Sequence, residues 1–197
     1  MTHAAADHVG ASDVPAWRVE RHDVLPQDLL GPLRALYIRS FDPLRSLAAA
    51  RHVLTEAEFA EEMADEAVSK YVALGDDGEP VGLTTFTLDL STVTWVSADF
   101  YARRWPEQAA TGRLYYLGYT LADPAYHRRG VFDAMLTVVT DRAIADDAII
   151  AWDMCSFNVD TARLADGIAA LLSGRSTPPE VVDTQRYYAA DFSRSTR

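Results

Sequence analysis

The sequence contains a single cysteine, Cys155, among 197 residues. One cysteine cannot form an intramolecular disulfide, which argues against a disulfide-stapled secreted scaffold and predicts a reducing, cytoplasmic location. Long apolar runs are also missing, since none approaches the roughly 20 residues that cross a bilayer. The first residues, Met1 to Ser12, lack the apolar stretch and cleavage pattern of a signal peptide. We expect residues 1–15 to be a flexible segment.

Positive charge is scarce as well. The formal net charge is −11, which opposes attraction to nucleic acid or to anionic lipid, so neither is expected as a partner. The five histidines are scattered without metal-ligand spacing, and no metal is expected. Hydrophobic residues make up 49% and charged residues 24%, the composition of a globular protein. The length fits one compact domain, which we assign to residues 16–197.

Strand and helix patterns follow one another along the chain and indicate an α/β fold. Strands are predicted at 16–24, 70–74, 81–90, 114–121, 148–154 and 181–188. Helical stripes cover 27–41, with a possible start at Pro32, and 161–172. Two more helices are predicted to begin at Thr55, where Glu58 completes a capping box, and at Val131.

An aromatic segment, 91–112, interrupts this order with Trp95, Phe100, Tyr101 and Trp105. Such a segment is too aromatic for an inert linker. Two interpretations stay open: a packed excursion on the body of the domain, or a wall over an acceptor pocket.

The segment after the strand at 114–121 has the pattern of an anion-binding loop. Asp123-Pro124 ends the strand, His127-Arg128-Arg129-Gly130 forms a short basic loop, and a helix begins at Val131. The first turn of a helix leaves backbone N–H groups unpaired and carries partial positive charge, so a phosphate binds there if the backbone is accessible. Gly130 permits that access. The alternative is an ordinary helix start with surface arginines.

The stretch from Thr120 to Phe132 resembles the signature of the GNAT acetyltransferase superfamily, a strand that leads into an Arg/Gln-x-x-Gly-x-Gly/Ala loop and a helix. The order of the other elements, from about Trp17 to Leu172, is similar to that family too. The resemblance implies a mixed, largely antiparallel central sheet flanked by helices on both faces. It implies acetyl-CoA or another acyl-CoA as co-substrate.

The resemblance also implies roles for individual residues. The pantetheine arm would bind the strand backbone, the pyrophosphate would bind the loop and helix start, and an asparagine would contact the arm. The implied cofactor-binding residues are Thr120, Leu121, Ala122, His127, Arg128, Arg129, Gly130, Val131, Phe132 and Asn158.

The chain departs from the family pattern in two ways, in the loop and after Asn158. In the loop, His127 stands where Arg or Gln is usual, a change that keeps a donor. Phe132 stands where a small residue is usual, and its ring either points into the core or crowds the phosphate. The tyrosine that protonates the departing thiolate in many members is missing, because Ala165 and Asp166 occupy the positions that follow Asn158 at the usual spacing.

The implied reaction is acyl transfer from acyl-CoA to the amine of a small molecule or a peptide. Tyr119, or a water held by Asp89, is the base of first choice. The alternative is a catalytically inactive protein of the same fold that binds acyl-CoA as a sensor or scaffold; an accidental match from another α/β family is a third hypothesis.

The pattern of the C-terminal segment predicts that two copies of the chain associate. Only one strand, 181–188, is predicted after Gly174, and the sheet edge beside it would need cover. A homodimer that pairs this edge or exchanges the terminal strand is therefore predicted.

Overall fold

The computed structural model of the chain describes residues 17–126 and 129–193. The expected flexible segment 1–15 lies outside the described residues, as do His127 and Arg128 of the predicted anion loop. The described part has five strands, β1 (Trp17–His22), β2 (Val68–Gly75), β3 (Pro80–Thr87), β4 (Leu114–Ala122) and β5 (Ile149–Ala151). It also has seven α-helices, α1 (Gln27–Phe41), α2 (Leu44–Leu47), α3 (Glu56–Ala64), α4 (Ala98–Arg104), α5 (Pro106–Ala110), α6 (Val131–Asp146) and α7 (Leu164–Leu172).

The strands form one sheet in the order β1-β2-β3-β4-β5. The first three pairs are antiparallel, and β5 alone runs parallel to its neighbour β4. The predicted turn joins β2 to β3, where the Gly75 N–H donates to the Glu79 carbonyl at 2.8 Å. Gly78 adopts a positive φ of 82° in this turn, which glycine does at low cost. The mixed, largely antiparallel sheet is confirmed.

Helices cover both faces of the sheet, as predicted. On one face α1 and α3 pack a core that includes Leu33, Tyr37, Phe59, Val72 and Leu83. On the other face α6 and α7 pack a second core that includes Phe86, Tyr115, Leu136, Val139 and Ile168. We call the first face the α1/α3 face and the second the α6/α7 face.

Local signals set the helix starts. α3 begins at the predicted capping box: the Thr55 hydroxyl accepts from the Glu58 N–H at 3.2 Å, and the Glu58 carboxylate accepts from the Thr55 N–H at 2.7 Å. α1 begins at Gln27 and contains Pro32, so the alternative start at Pro32 is wrong. Pro32 lies past the first turn of α1, so the helix lacks the hydrogen bond that an N–H at this position would donate to the carbonyl of Asp28.

The aromatic segment packs on the sheet. It forms a 3₁₀ turn at Leu90–Thr92 and the short helices α4 and α5. Leu90 and Val93 are buried against Leu114 and Tyr116 of β4, with Trp105 beside them. The segment therefore extends the α1/α3 face toward β5.

Two strand predictions fail at the β5 side of the sheet. β5 covers only Ile149–Ala151 of the predicted 148–154, and the described part of 181–193 contains no strand, so the strand predicted at 181–188 is wrong. A strand requires a neighbour that supplies hydrogen bonds, and residue pattern alone does not provide one. Val181 and Tyr188 are 85% and 87% exposed, so they pack on nothing in this chain. The homodimer stays a prediction.

The only lysine of the chain, Lys70 on β2, is fully buried on the α1/α3 face. Its ammonium group donates to the backbone carbonyls of Asp23, at 2.8 Å, and Asp65, at 2.5 Å. Burial lowers the Lys70 pKa, and the charges of Asp65, Glu62 and Asp23 oppose this effect. Lys70 thus ties the chain after β1 and the chain after α3 to the sheet.

We expect Lys70→Met to lower the free energy of unfolding by about 2 to 4 kcal/mol, because the carbonyls of Asp23 and Asp65 lose a charged donor that is itself buried. Chemical denaturation measures this difference. The control is Arg142→Met, which removes an exposed ion pair with Asp146 and should cost less than about 1 kcal/mol. Equal effects of the two variants would contradict the assigned role of Lys70.

Candidate functional site

Strand β4 contains a bulge at Gly118. Thr85 of β3 pairs with Tyr119, while the next residue, Phe86, pairs with Leu117. A Cβ at Gly118 would lie 2.4 Å from the Thr85 Oγ1, so only glycine fits without a shift of that side chain. The Tyr119 N–H donates to the Thr85 Oγ1 at 3.3 Å instead of to a strand carbonyl. The extra residue places Tyr116 and Tyr119 on the same face of the sheet.

Strands β4 and β5 separate next to this bulge. Their parallel pairing ends at Tyr116 and Ala151, whereas β4 continues to Ala122. The other edge of β4 stays paired with β3 as far as Ala122. Within the described residues, the β5-side backbone of 117–122 therefore has no strand partner. Three of the predicted cofactor-binding residues lie along this open edge: Thr120, Leu121 and Ala122.

The start of α6 lies just beyond the end of β4. Gly130 adopts a left-handed φ of 78° as the N-cap, and no side chain caps the helix. The first bond inward runs from the Ala134 N–H to the Gly130 carbonyl at 2.9 Å. The N–H groups of the first turn of α6 are left to bind another acceptor, whereas the Arg129 N–H already donates to the Tyr126 carbonyl at 3.0 Å. Arg129 stacks its guanidinium on the Tyr126 ring at 5.2 Å and is exposed beside this turn.

The side chain of Phe132 packs against the core of the α6/α7 face. Val131, the residue before it, is 1% exposed and belongs to a neighbouring buried cluster with Val81 and Met135. Of the two orientations left open by the sequence, the structure adopts the one in which Phe132 points into the core. A bulky residue at this position therefore does not cover the helix N-terminus.

Asn158 lies on the β5 side of the gap. It belongs to a π-helical turn, Phe157–Thr161, that connects β5 to α7. Ala165 and Asp166 lie in α7, where Asp166 pairs with Arg163. Neither position thus supplies the hydroxyl of the tyrosine that the family pattern leads one to expect, and the Asp166 carboxylate is paired with an arginine.

Tyr119, the first predicted base, lies on the α1/α3 face. Its ring packs against Tyr37 and Phe41, with ring centroids 5.3 and 5.6 Å away. The hydroxyl is buried without a hydrogen bond of normal geometry, beside the Glu62 carboxylate. Burial and the charge of Glu62 raise the Tyr119 pKa well above its usual value, so the hydroxyl keeps its proton at neutral pH.

Glu62 is the carboxylate that sequence reasoning missed on this face. In the sequence it stands among Glu56, Glu61, Asp65 and Glu66, a pattern that indicates a solvated acidic face, yet it follows the buried Phe59 by three residues and shares its side of α3. Burial raises the Glu62 pKa to about 7, against the opposing effects of Thr85, Lys70 and Tyr119. The carboxyl therefore exchanges its proton near neutral pH.

Asp89, the second predicted catalytic residue, caps the 3₁₀ turn that follows β3. Its Oδ1 accepts from the Ser91 N–H at 2.9 Å and from the Ser91 hydroxyl at 2.6 Å. Among the hydrogen bonds of the described residues, none joins Asp89 to Tyr119. The structure thus gives Asp89 a local structural contact and does not bring the two predicted residues together.

A second missed carboxylate, Asp153, follows β5 where the strands separate. The Tyr116 hydroxyl donates to the Asp153 Oδ1, and the Trp95 Nε1–H donates to the Tyr116 hydroxyl at 3.0 Å. The sequence gives no signal for this residue, because Asp153 lies within the strand predicted at 148–154. The spacing of Tyr116, Asp153 and Trp95 along the chain carries no signal of their contact.

Over residues 17–126 and 129–193, no three side chains of His, Cys, Asp or Glu are grouped so that they could hold a metal ion. None of the helices in those ranges combines the length and the apolar character needed to cross a membrane.

Solved structures with this fold are acetyltransferases. An aminoglycoside acetyltransferase from an uncultured soil metagenomic sample, in complex with trehalose, has 17% sequence identity and a TM-score of 0.54, over 89% of this chain and 97% of that one. The ribosomal-protein-alanine N-acetyltransferase of Brucella melitensis biovar Abortus 2308 has 15% identity and a TM-score of 0.53, over 89% and 100% of the two chains. The aminoglycoside N-acetyltransferase AAC(6')-Iy, in complex with CoA, has 14% identity and a TM-score of 0.51, over 86% and 94%.

No protein-family model matches the sequence, and no curated protein matches it either. Identities of 14 to 17% establish a shared fold and leave the activity open. The sheet order, the helices on both faces and the solved structures agree: the chain has the fold of the GNAT N-acetyltransferases.

Proposed function

We propose that the protein is an acyl-CoA-dependent N-acyltransferase, with acetyl-CoA as the acyl donor of first choice. The observation that supports this proposal most is the open edge of β4 at 117–122, which leads directly to the uncapped start of α6. An extended chain with amide groups can pair with such an edge, and a phosphate can bind such a helix start. Acyl-CoA carries both groups in one molecule. A reducing cytoplasmic location remains part of the proposal.

The co-substrate would contact residues from three segments. Thr120, Leu121 and Ala122 would pair with the pantetheine arm, and Asn158 would contact the arm from the β5 side. The backbone from Gly130 to Phe132 would hold the pyrophosphate, with the side chains of His127, Arg128 and Arg129 in the same loop. Bound acyl-CoA supplies an acyl group that is activated as a thioester. The CoA complex of one similar fold supports this choice of co-substrate.

The acceptor is proposed to be an amine of a small molecule or a peptide. The names of the similar structures include acetyltransferases of aminoglycosides and of a ribosomal-protein alanine, which are both amine acceptors. The amine nitrogen attacks the thioester carbonyl, a C–N bond forms, and the C–S bond breaks. The amine loses a proton to a base, and the departing thiolate gains one.

We assign the base to Glu62 instead of to Tyr119 or Asp89. A base works best when its pKa lies near the working pH, and the Glu62 pKa of about 7 meets this condition. Tyr119 keeps its proton and is better suited to donate a hydrogen bond to Glu62. The groups that face Glu62 are Thr85 from β3, Lys70 from β2, Tyr119 from β4, Asp65 from the end of α3 and Tyr37 from α1.

Gly130→Trp should weaken acetyl-CoA binding at least about tenfold, because the indole occupies the space beside the helix start. Any side chain at this positive φ is strained, so Gly130→Ala is the matched control and should bind more tightly than the tryptophan variant. Isothermal titration calorimetry measures both affinities.

The outcome of the same titration separates the candidate functions. Absence of acetyl-CoA binding by the folded natural protein would overturn the proposal. Binding without thiol release from any amine would favour the alternative, an inactive acyl-CoA sensor or scaffold.

The rate should depend on pH through Glu62. The base form exists above the Glu62 pKa, so kcat should rise with pH below about 7 and level off above it. Glu62→Gln should abolish this rise of kcat with pH and should lower kcat by about 100-fold or more. The control is Glu61→Gln on the exposed side of α3, which should leave the profile unchanged. If kcat of Glu62→Gln still rose with pH as in the natural protein, Glu62 would not be the base.

A further inference from the structure

Asp153 lies at the point where the proposed reaction would occur. The last pair of the parallel ladder is Tyr116 and Ala151, and Asp153 follows two residues later. Continuing the register by two residues brings Asp153 level with Gly118, the bulge residue of β4. The carboxylate is therefore at the mouth of the gap between the two strands.

Two separate segments hold the Asp153 carboxylate in place. Tyr116, 1% exposed on β4, donates its hydroxyl proton to the Oδ1 of Asp153. Trp95, from the aromatic segment, donates its indole N–H to the Tyr116 hydroxyl at 3.0 Å and lies 3.4 Å from the same Oδ1. Among the described residues, no hydrogen bond reaches the second oxygen, Oδ2. One carboxylate oxygen is thus anchored and the other is available.

No cation of the described chain pairs with Asp153. The ion pairs of those residues use other carboxylates throughout. The donors on Oδ1 are neutral, because burial and Asp153 itself raise the Tyr116 pKa and keep its proton in place. The net charge of −11 adds to the attraction for a positive ligand. An anchored carboxylate that has no cation of the described chain beside it can accept a charge-assisted hydrogen bond from an ammonium group.

The Trp95 ring supplies a second feature that suits a cation. The side chain is 67% exposed although its N–H is bonded inward. Its ring meets the Tyr116 ring edge-on at 5.9 Å, which leaves a large part of the indole surface open beside Asp153. An open indole face attracts ammonium groups through the ring quadrupole.

We infer that the acceptor amine binds as an ammonium ion at the Asp153 Oδ2, against the exposed ring of Trp95. This inference rests on the proposed function for its place in the reaction, and it adds the class of acceptor: a primary amine that is protonated in solution. Tyr116 is the positioning residue that fixes the carboxylate. The aromatic segment is accordingly a wall of the acceptor site.

Calorimetric titration with three probes tests the site without turnover. Tyramine and spermidine carry ammonium groups, and N-acetyltyramine is the neutral counterpart of tyramine. The natural protein should bind both cations and should bind N-acetyltyramine at least about tenfold more weakly than tyramine. Asp153→Asn keeps the shape and an acceptor for Tyr116, and should weaken binding of the cations at least about tenfold. Trp95→Ala should weaken it about threefold or more.

The control variant is Asp76→Asn, in the exposed turn between β2 and β3, which removes the same charge far from the site. It should leave every affinity within about twofold. Equal cation binding by Asp153→Asn and the natural protein would overturn the inference, as would equal affinity for N-acetyltyramine. Failure of the folded natural protein to bind either cation would overturn it as well.

Acetyl-CoA titration of the same variants separates this inference from the proposed function. Asp153→Asn should bind acetyl-CoA within about twofold of the natural protein, because the carboxylate faces the acceptor side. Cation binding that depends on Asp153 in a protein that does not bind acetyl-CoA would support the cation site and count against the proposed function.

Discussion

A strand edge without a neighbour leaves backbone N–H and C=O groups that must find other partners, and β4 has such an edge from Leu117 to Ala122. The edge exists because β5 is only three residues long and because the bulge at Gly118 changes the course of β4. The same strand leads to Gly130 and the uncapped start of α6. The arrangement of the candidate site depends on this one open edge.

Two carboxylates flank the bulge on the same face, and their surroundings give them different properties. Glu62 lies beside Tyr119 and is partly buried, and this burial raises its pKa to about 7. Asp153 is exposed beside Tyr116 and is held by neutral donors. A carboxyl that titrates near neutrality suits proton transfer, whereas an exposed carboxylate with one oxygen unpartnered suits the binding of an ammonium ion. The different burial of Glu62 and Asp153 is therefore the reason that we propose proton transfer for one and ammonium binding for the other.

Structural elements that depend on residues close together in the chain could be predicted from the sequence. The capping box at Thr55, the loop that ends at Gly130 and the apolar stripes of α1 and α6 predicted elements that the structure contains. Features that depend on distant partners could not. The strand predicted at 181–188 lacks a neighbour, and the positions of Glu62 and Asp153 depend on which faces meet after folding.

Amide hydrogen exchange with and without acetyl-CoA tests the central claim most directly, because it reports on the backbone groups that the account assigns to the co-substrate. The account predicts slower exchange in two places when acetyl-CoA is added: the open edge of β4 at 117–122 and the first turn of α6 after Gly130. The β1–β2 side of the sheet serves as the internal reference and should not change. Unchanged exchange at both places, with acetyl-CoA at saturating concentration, would contradict the account.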